Sequence, residues 1–126
     1  MSLALTVAET KPCMFVITLT GSLDSATYAV LEKKIGYLIA EGKARVITLD
    51  MAALTFISSM GVRVILTAKK NLRPNQGSLC MINVPPPIQK VFEIINALPS
   101  MTIFASVEEM DAYLANMQQR QGGGPG

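Results

Sequence analysis

The chain has 126 residues, half of them apolar and only 16% charged, which suits one globular domain with a real core and excludes a disordered acidic or basic chain. A formal net charge of +2 without a basic cluster gives no electrostatic footprint for nucleic acid. Histidine is absent, so hydrolase triads and histidine metal sites are excluded, and neither a cofactor nor a metal is expected.

In chain order, Leu3, Leu5 and Val7 alternate with smaller or polar residues, and Cys13, Phe15, Ile17 and Leu19 repeat the alternation after Lys11 and Pro12. This spacing predicts a β-hairpin with one buried face. Gly21 is expected to break the second strand. Asp24 or Ser25 then caps a helix to about Glu41, with Tyr28, Leu31, Ile35, Leu38 and Ile39 on its apolar side and Gly42 ending it. Residues 45–50, with Val46, Ile47 and Leu49, read as a central strand covered on both faces.

The stretch 54–62 follows, and two hydroxyls stand there where an apolar strand or loop turns into a helix. Gly61, Val64, Ile65, Ala68 and Leu72 fall at the spacing of one buried helical face. Ser58 is therefore the expected N-cap, its oxygen accepting from a free N–H of the first turn. Ser59 becomes the first helical residue, at the positive end of the helix dipole. A buried strand at Leu79, Cys80, Met81, Ile82 and Val84 follows the Asn75, Gln76, Gly77 turn, and Pro85, Pro86 and Pro87 start a helix with the stripe Ile88, Val91, Phe92 and Ile95. Thr102, Ile103 and Phe104 form a last short strand. A capping box of Ser106 and Glu109 opens a final helix burying Val107, Met110, Leu114 and Met117. The polar, glycine-rich residues 118–126 are expected to be flexible. Cys13 and Cys80, far apart and both in apolar runs, read as buried free thiols.

The segment Ser58, Ser59, Met60, Gly61 resembles the phosphorylation segment of the anti-sigma factor antagonists in the STAS domain family, whose pattern there is Asp, Ser, Ser or Thr, Gly. Ser58 takes the acidic position, Ser59 that of the phosphorylated serine, Met60 that of the second hydroxyl residue, and Gly61 that of the glycine. Gly21, Ser22, Leu23, Asp24 resembles the family's loop before the first helix, and residues 104–109 its entry to the last helix. The likeness runs from about Leu5 to Leu114.

The fold it implies agrees with the element order: an α/β single STAS-like domain at 1–117, with a mixed sheet of four to five strands and about four helices. The function it implies is a cytoplasmic, non-enzymatic binding module. Such a module sequesters an anti-sigma factor, itself a serine kinase, frees a sigma factor, and is switched by phosphorylation at Ser59, with a serine phosphatase as the reversing enzyme. Asp24, Ser58, Met60, Gly61 and Arg63 are the expected partner-binding residues. The alternative is a STAS subunit that never takes phosphate and serves as a structural partner in a lipid-transport or stress-signalling complex; Ser58 in the acidic position favours it. The residues alone also permit an ordinary helical serine at 59 and a packing role for Gly61. No glycine-rich phosphate loop or carboxylate cluster supports an enzyme. No apolar run approaches the ~20 residues of a membrane helix, so no direct insertion is expected. The sequence leaves the oligomeric state, the sigma factor and its signal open.

Overall fold

The computed structural model describes residues 2–94, 102–104, 108–109 and 112. Strands β1 (Leu3–Lys11) and β2 (Met14–Leu23) form the predicted hairpin. Helix α1 (Tyr28–Ala40), strand β3 (Val46–Ile57), helix α2 (Ser59–Leu72), a short 3-10 turn at Arg73–Asn75, strand β4 (Ser78–Ile82), helix α3 (Pro86–Ile94) and strand β5 (Thr102–Phe104) follow. The five strands lie in the order β1-β2-β3-β4-β5, with β1 antiparallel to β2 and every later pair parallel. Glu108, Glu109 and Ala112 are helical and exposed. The rest of the predicted last helix, its Ser106 cap, Ile95 and residues 118–126 lie outside the described residues.

Because each parallel strand is added on the same side of the one before it, right-handed crossovers place α1, α2 and α3 on one face of the sheet. Burial agrees. Phe15, Ile17 and Leu19 of β2, Ile47 and Leu49 of β3, and Leu79 and Met81 of β4 share one core with Leu31, Ile35 and Leu38 of α1, Val62, Ile65 and Leu72 of α2, and Ile88 and Phe92 of α3. Each such side chain, removed from water, stabilises the fold by about 1.5–3 kcal/mol. The opposite face of β3 and β4 carries a second buried cluster of Cys80 and Ile82, with Met14 and Val46 packed against it, and Thr48 is buried beside them in the same strand. Strand β3 is thus covered on both faces over 47–49, as its continuous apolar run requires. Among the described residues no helix is long and apolar enough to cross a membrane.

Three local expectations are corrected. Gly21 does not end β2 but lies within it at φ 108, because the chain entering β1 crosses so closely that a Cβ there would collide with the Ser2 carbonyl. Cys13 is not a strand residue. It occupies the hairpin turn at φ 65, half-buried, its N–H donating to Glu9 Oε2 at 3.1 Å, while Cys80 is the fully buried thiol, pushed up to about 11 by loss of solvation. Gly42 stands just past the end of α1 as expected, but without the left-handed conformation usual for a glycine there, which Lys43 adopts at φ 53. Gly42 is instead required by space, as a Cβ would stand 2.8 Å from the Leu38 carbonyl and 3.0 Å from the Phe15 ring. The third correction concerns Asp24, which belongs to the site.

Candidate functional site

Strand β3 continues well past the end of β4, whose last pair with it is Asp50 and Ile82. Over 53–57 it is hydrogen-bonded to the end of β2, pairing Ala53 with Thr20, Leu54 with Gly21, Phe56 with Ser22 and Ile57 with Leu23. The Ser58 N–H then donates to the Leu23 carbonyl at 2.9 Å. Thr55 Oγ1 adds a bond to the Gly21 carbonyl at 2.9 Å. The loop at Asp24 and the N-terminus of α2 are therefore held together by the parallel pairing of β2 with β3. The juxtaposition that the family resemblance implied has a backbone cause.

At the end of that pairing Ser58 turns the chain into α2. It has extended backbone, φ −98 and ψ 173, and its Oγ accepts from the Gly61 N–H at 3.3 Å, as an N-cap should. Its own carbonyl accepts from Val62 N–H at 3.1 Å, closing the first helical turn. Ser59 is the first helical residue and is exposed, with no acidic residue in the first turn to repel an anion. The two serines divide as their positions require: one hydroxyl is engaged by the backbone and the other faces solvent. Ser58→Ala is accordingly expected to lower stability by ~1 kcal/mol, read from chemical denaturation, and to leave the Ser59 hydroxyl accessible. An unchanged midpoint would show that the 3.3 Å bond contributes nothing.

Gly61 is buried under the same junction. A Cβ on it would stand 2.8 Å from both Ile57 Cγ1 and Leu23 Cγ, so the helix start rests directly on the last residues of β2 and β3. Met60 is half-buried and Arg63 exposed. Ser59, Val62, Arg63, Leu66, Thr67 and Lys70 line an open groove of about 380 Å³ along α2.

Asp24 is not the N-cap of α1. That position is Thr27, with φ −117 and no side-chain capping bond. Asp24 makes an Asx turn instead, its Oδ1 accepting from Ala26 N–H at 2.9 Å and Thr27 N–H at 3.1 Å. Thr27 Oγ1 accepts from Asp24 N–H at 2.9 Å and lies within donating distance of the Ser22 carbonyl, 2.8 Å, and of Asp24 Oδ1, 3.1 Å. These short-range bonds compete successfully with helical extension, so α1 begins later than the helix signal suggests. The bond from Ala26, followed by those from Thr27, holds the Asp24 carboxyl below its ordinary value, leaving an anion at neutral pH beside the serine segment.

Phe56, 47% exposed, was not among the expected site residues. A register shift between Gly21 and Ser22 breaks the two-residue alternation, so Leu54 and Ile57 are buried three apart and Phe56 turns outward. An aromatic residue two positions before a capping serine was the available signal.

The STAS domain model matches residues 5–110. The chain is 36% identical over 95 residues to BtrV of Bordetella bronchiseptica (strain ATCC BAA-588 / NCTC 13252 / RB50), whose name assigns it to the anti-sigma factor antagonists; the match covers 75% of this chain and 81% of that protein. It is 30% identical over 86 residues to the anti-sigma F factor antagonist of Lysinibacillus sphaericus, covering 68% and 74% of the two chains. The structure of the Bacillus cell fate determinant SpoIIAA in its phosphorylated form superposes with a TM-score of 0.69 at 26% identity, over 87% of this chain and 99% of that one.

Proposed function

The chain belongs to the STAS domain family, and we propose that it acts within that family as an anti-sigma factor antagonist whose grip on its partner is released by phosphorylation of Ser59. The observation that carries this reading is the division of the two serines: Ser58 caps α2 and Ser59 stands free at the first turn. A kinase needs an accessible hydroxyl on a backbone that tolerates an anion; Ser59 is exposed, and its place in the first turn of α2 favours negative charge. The two curated relatives bear the name of the same function.

The partner surface consists of the Asp24 loop, the Ser58 to Gly61 turn and the outward side of α2 with Arg63. Met60 is its apolar centre, the exposed Phe56 near the end of β3 adds apolar surface, and Ser59, Asp24 and Arg63 supply the polar groups of a modest regulatory interface. The partner is an anti-sigma factor that is also a serine kinase using ATP, and a serine phosphatase restores the free hydroxyl. Met60→Asp should weaken the complex about tenfold, ~1.4 kcal/mol, in a calorimetric titration with the anti-sigma factor, without a matching loss of melting temperature. Equal binding by the two forms would move the interface elsewhere.

Ser58 in the position where the family's pattern has an acidic residue favours a second reading, in which the domain is a structural STAS subunit that is never phosphorylated. That subunit would leave Ser59 unmodified in the presence of every kinase encoded beside it.

A further inference from the structure

Ser59 and Arg63 are four residues apart on α2, on the same face, and both line the groove of about 380 Å³. Residues at this spacing have Cβ atoms about 5–6 Å apart, and an anion on the N-terminal member with a cation on the C-terminal one is the favourable order. Helical side chains lean towards the N-terminus, so a long side chain at 63 covers the turn that starts at 59. Nothing on α2 competes. The positions three and four residues to either side of Arg63 are Met60, Ser59, Leu66 and Thr67, and no Asp or Glu occurs between Asp50 and Glu93. The other cations of the helix, Lys69 and Lys70, lie two to three turns beyond Ser59.

Resting on the phosphorylation reading above, we propose that Arg63 is the built-in receptor for the phosphate on Ser59. The guanidinium donates to the phosphate oxygens across one helical turn, in the fork geometry that suits arginine and phosphate. Phosphorylation thus changes the partner surface twice. It adds an anion at Ser59, and it withdraws the cation of Arg63 from any group on the partner. The local charge of the Ser59 and Arg63 pair passes from +1 to about −1 in one step.

The test installs phosphoserine at position 59 co-translationally, so it needs no kinase and stands whether or not a kinase modifies this residue. Phosphorus NMR then follows the second ionisation of the phosphate, ordinarily near pH 6, in the otherwise native chain and in Arg63→Gln, Arg63→Lys and Lys70→Gln forms. On neighbouring elements, Asp24 follows Leu23, whose carbonyl accepts from the Ser58 N–H, and Glu32 lines the separate cleft between α1 and α2. Both are present in every form and cancel in the comparison. Arg63→Gln should raise the phosphate ionisation by about 0.3 unit, a twofold change in proton affinity, and Arg63→Lys should recover part of it. Lys70→Gln, which removes the same charge farther along the helix, should leave it in place. Identical ionisation in the native and Arg63→Gln forms, or equal shifts in Arg63→Gln and Lys70→Gln, would overturn the pairing. A failure of kinase labelling would count against the phosphorylation reading and leave this result untouched.

Discussion

Phosphorylated at Ser59, the domain is expected to keep its melting temperature within a few degrees and lose its affinity for the anti-sigma factor by about a hundredfold or more. Both halves come from where the phosphate stands. It brings about −1.5 to −2 charges at neutral pH. At the first turn of α2 the Ser58 cap already engages the Gly61 amide, while the amides of Ser59 and Met60 carry no bond among the described residues. An anion there meets free N–H groups and the positive end of the helix, so the fold tolerates it or gains slightly. The partner meets something different: a highly charged group next to Met60 in the chain, which must lose water for the complex to form. Even paired with Arg63 the group keeps a net negative charge, and desolvating it costs more than a modest interface returns; a hundredfold loss corresponds to only ~2.7 kcal/mol. Amide spectra should change over residues 22–30 and 56–66 and stay fixed elsewhere. A change spread over the whole spectrum would mean that the switch refolds the domain.

Gly61→Val should destabilise the fold by about 2–3 kcal/mol in denaturant titration, an effect that outweighs any propensity gained by removing a helical glycine. The argument is steric. Even a single methyl at 61 would stand 2.8 Å from Leu23 Cγ, which is a branch point and not the free end of a flexible chain, and 2.8 Å from Ile57 Cγ1. Relief requires α2 to lift from the ends of β2 and β3, and that movement parts Ser59 from the Asp24 loop. Partner binding should fall along with stability, whereas Met60→Asp affects binding alone. A valine at 61 that left the unfolding midpoint in place would show that the helix does not rest on Leu23 and Ile57.

What could be read from the residues depended on how local its cause was. The Ser58 cap and the buried stripe of α2 are set by neighbours within one or two turns, and the structure has both where the spacing put them. Gly21 was misread because its glycine is demanded by the Ser2 carbonyl, a neighbour brought in by the hairpin, and a glycine in an apolar run signals a close approach as well as it signals an end. Residues 51–57 could not be assigned wholly to a strand from their pattern, since two register shifts against β2 replace the alternation with burial at Met51, Leu54 and Ile57. That misreading concealed Phe56. The Asp24 loop was legible as a capping sequence but not as an Asx turn, because the choice between them rests on whether Thr27 bonds forward into the helix or back to Ser22 and Asp24.

Incubating the native protein with the proposed anti-sigma kinase and ATP, then measuring intact mass and mapping the modified peptide, tests the proposed switch most directly. One phosphate, on Ser59, is the predicted outcome, and it should persist in Ser58→Ala and vanish in Ser59→Ala. Modification of Ser58 instead, or a chain that binds the kinase and emerges with its mass unchanged, would contradict it.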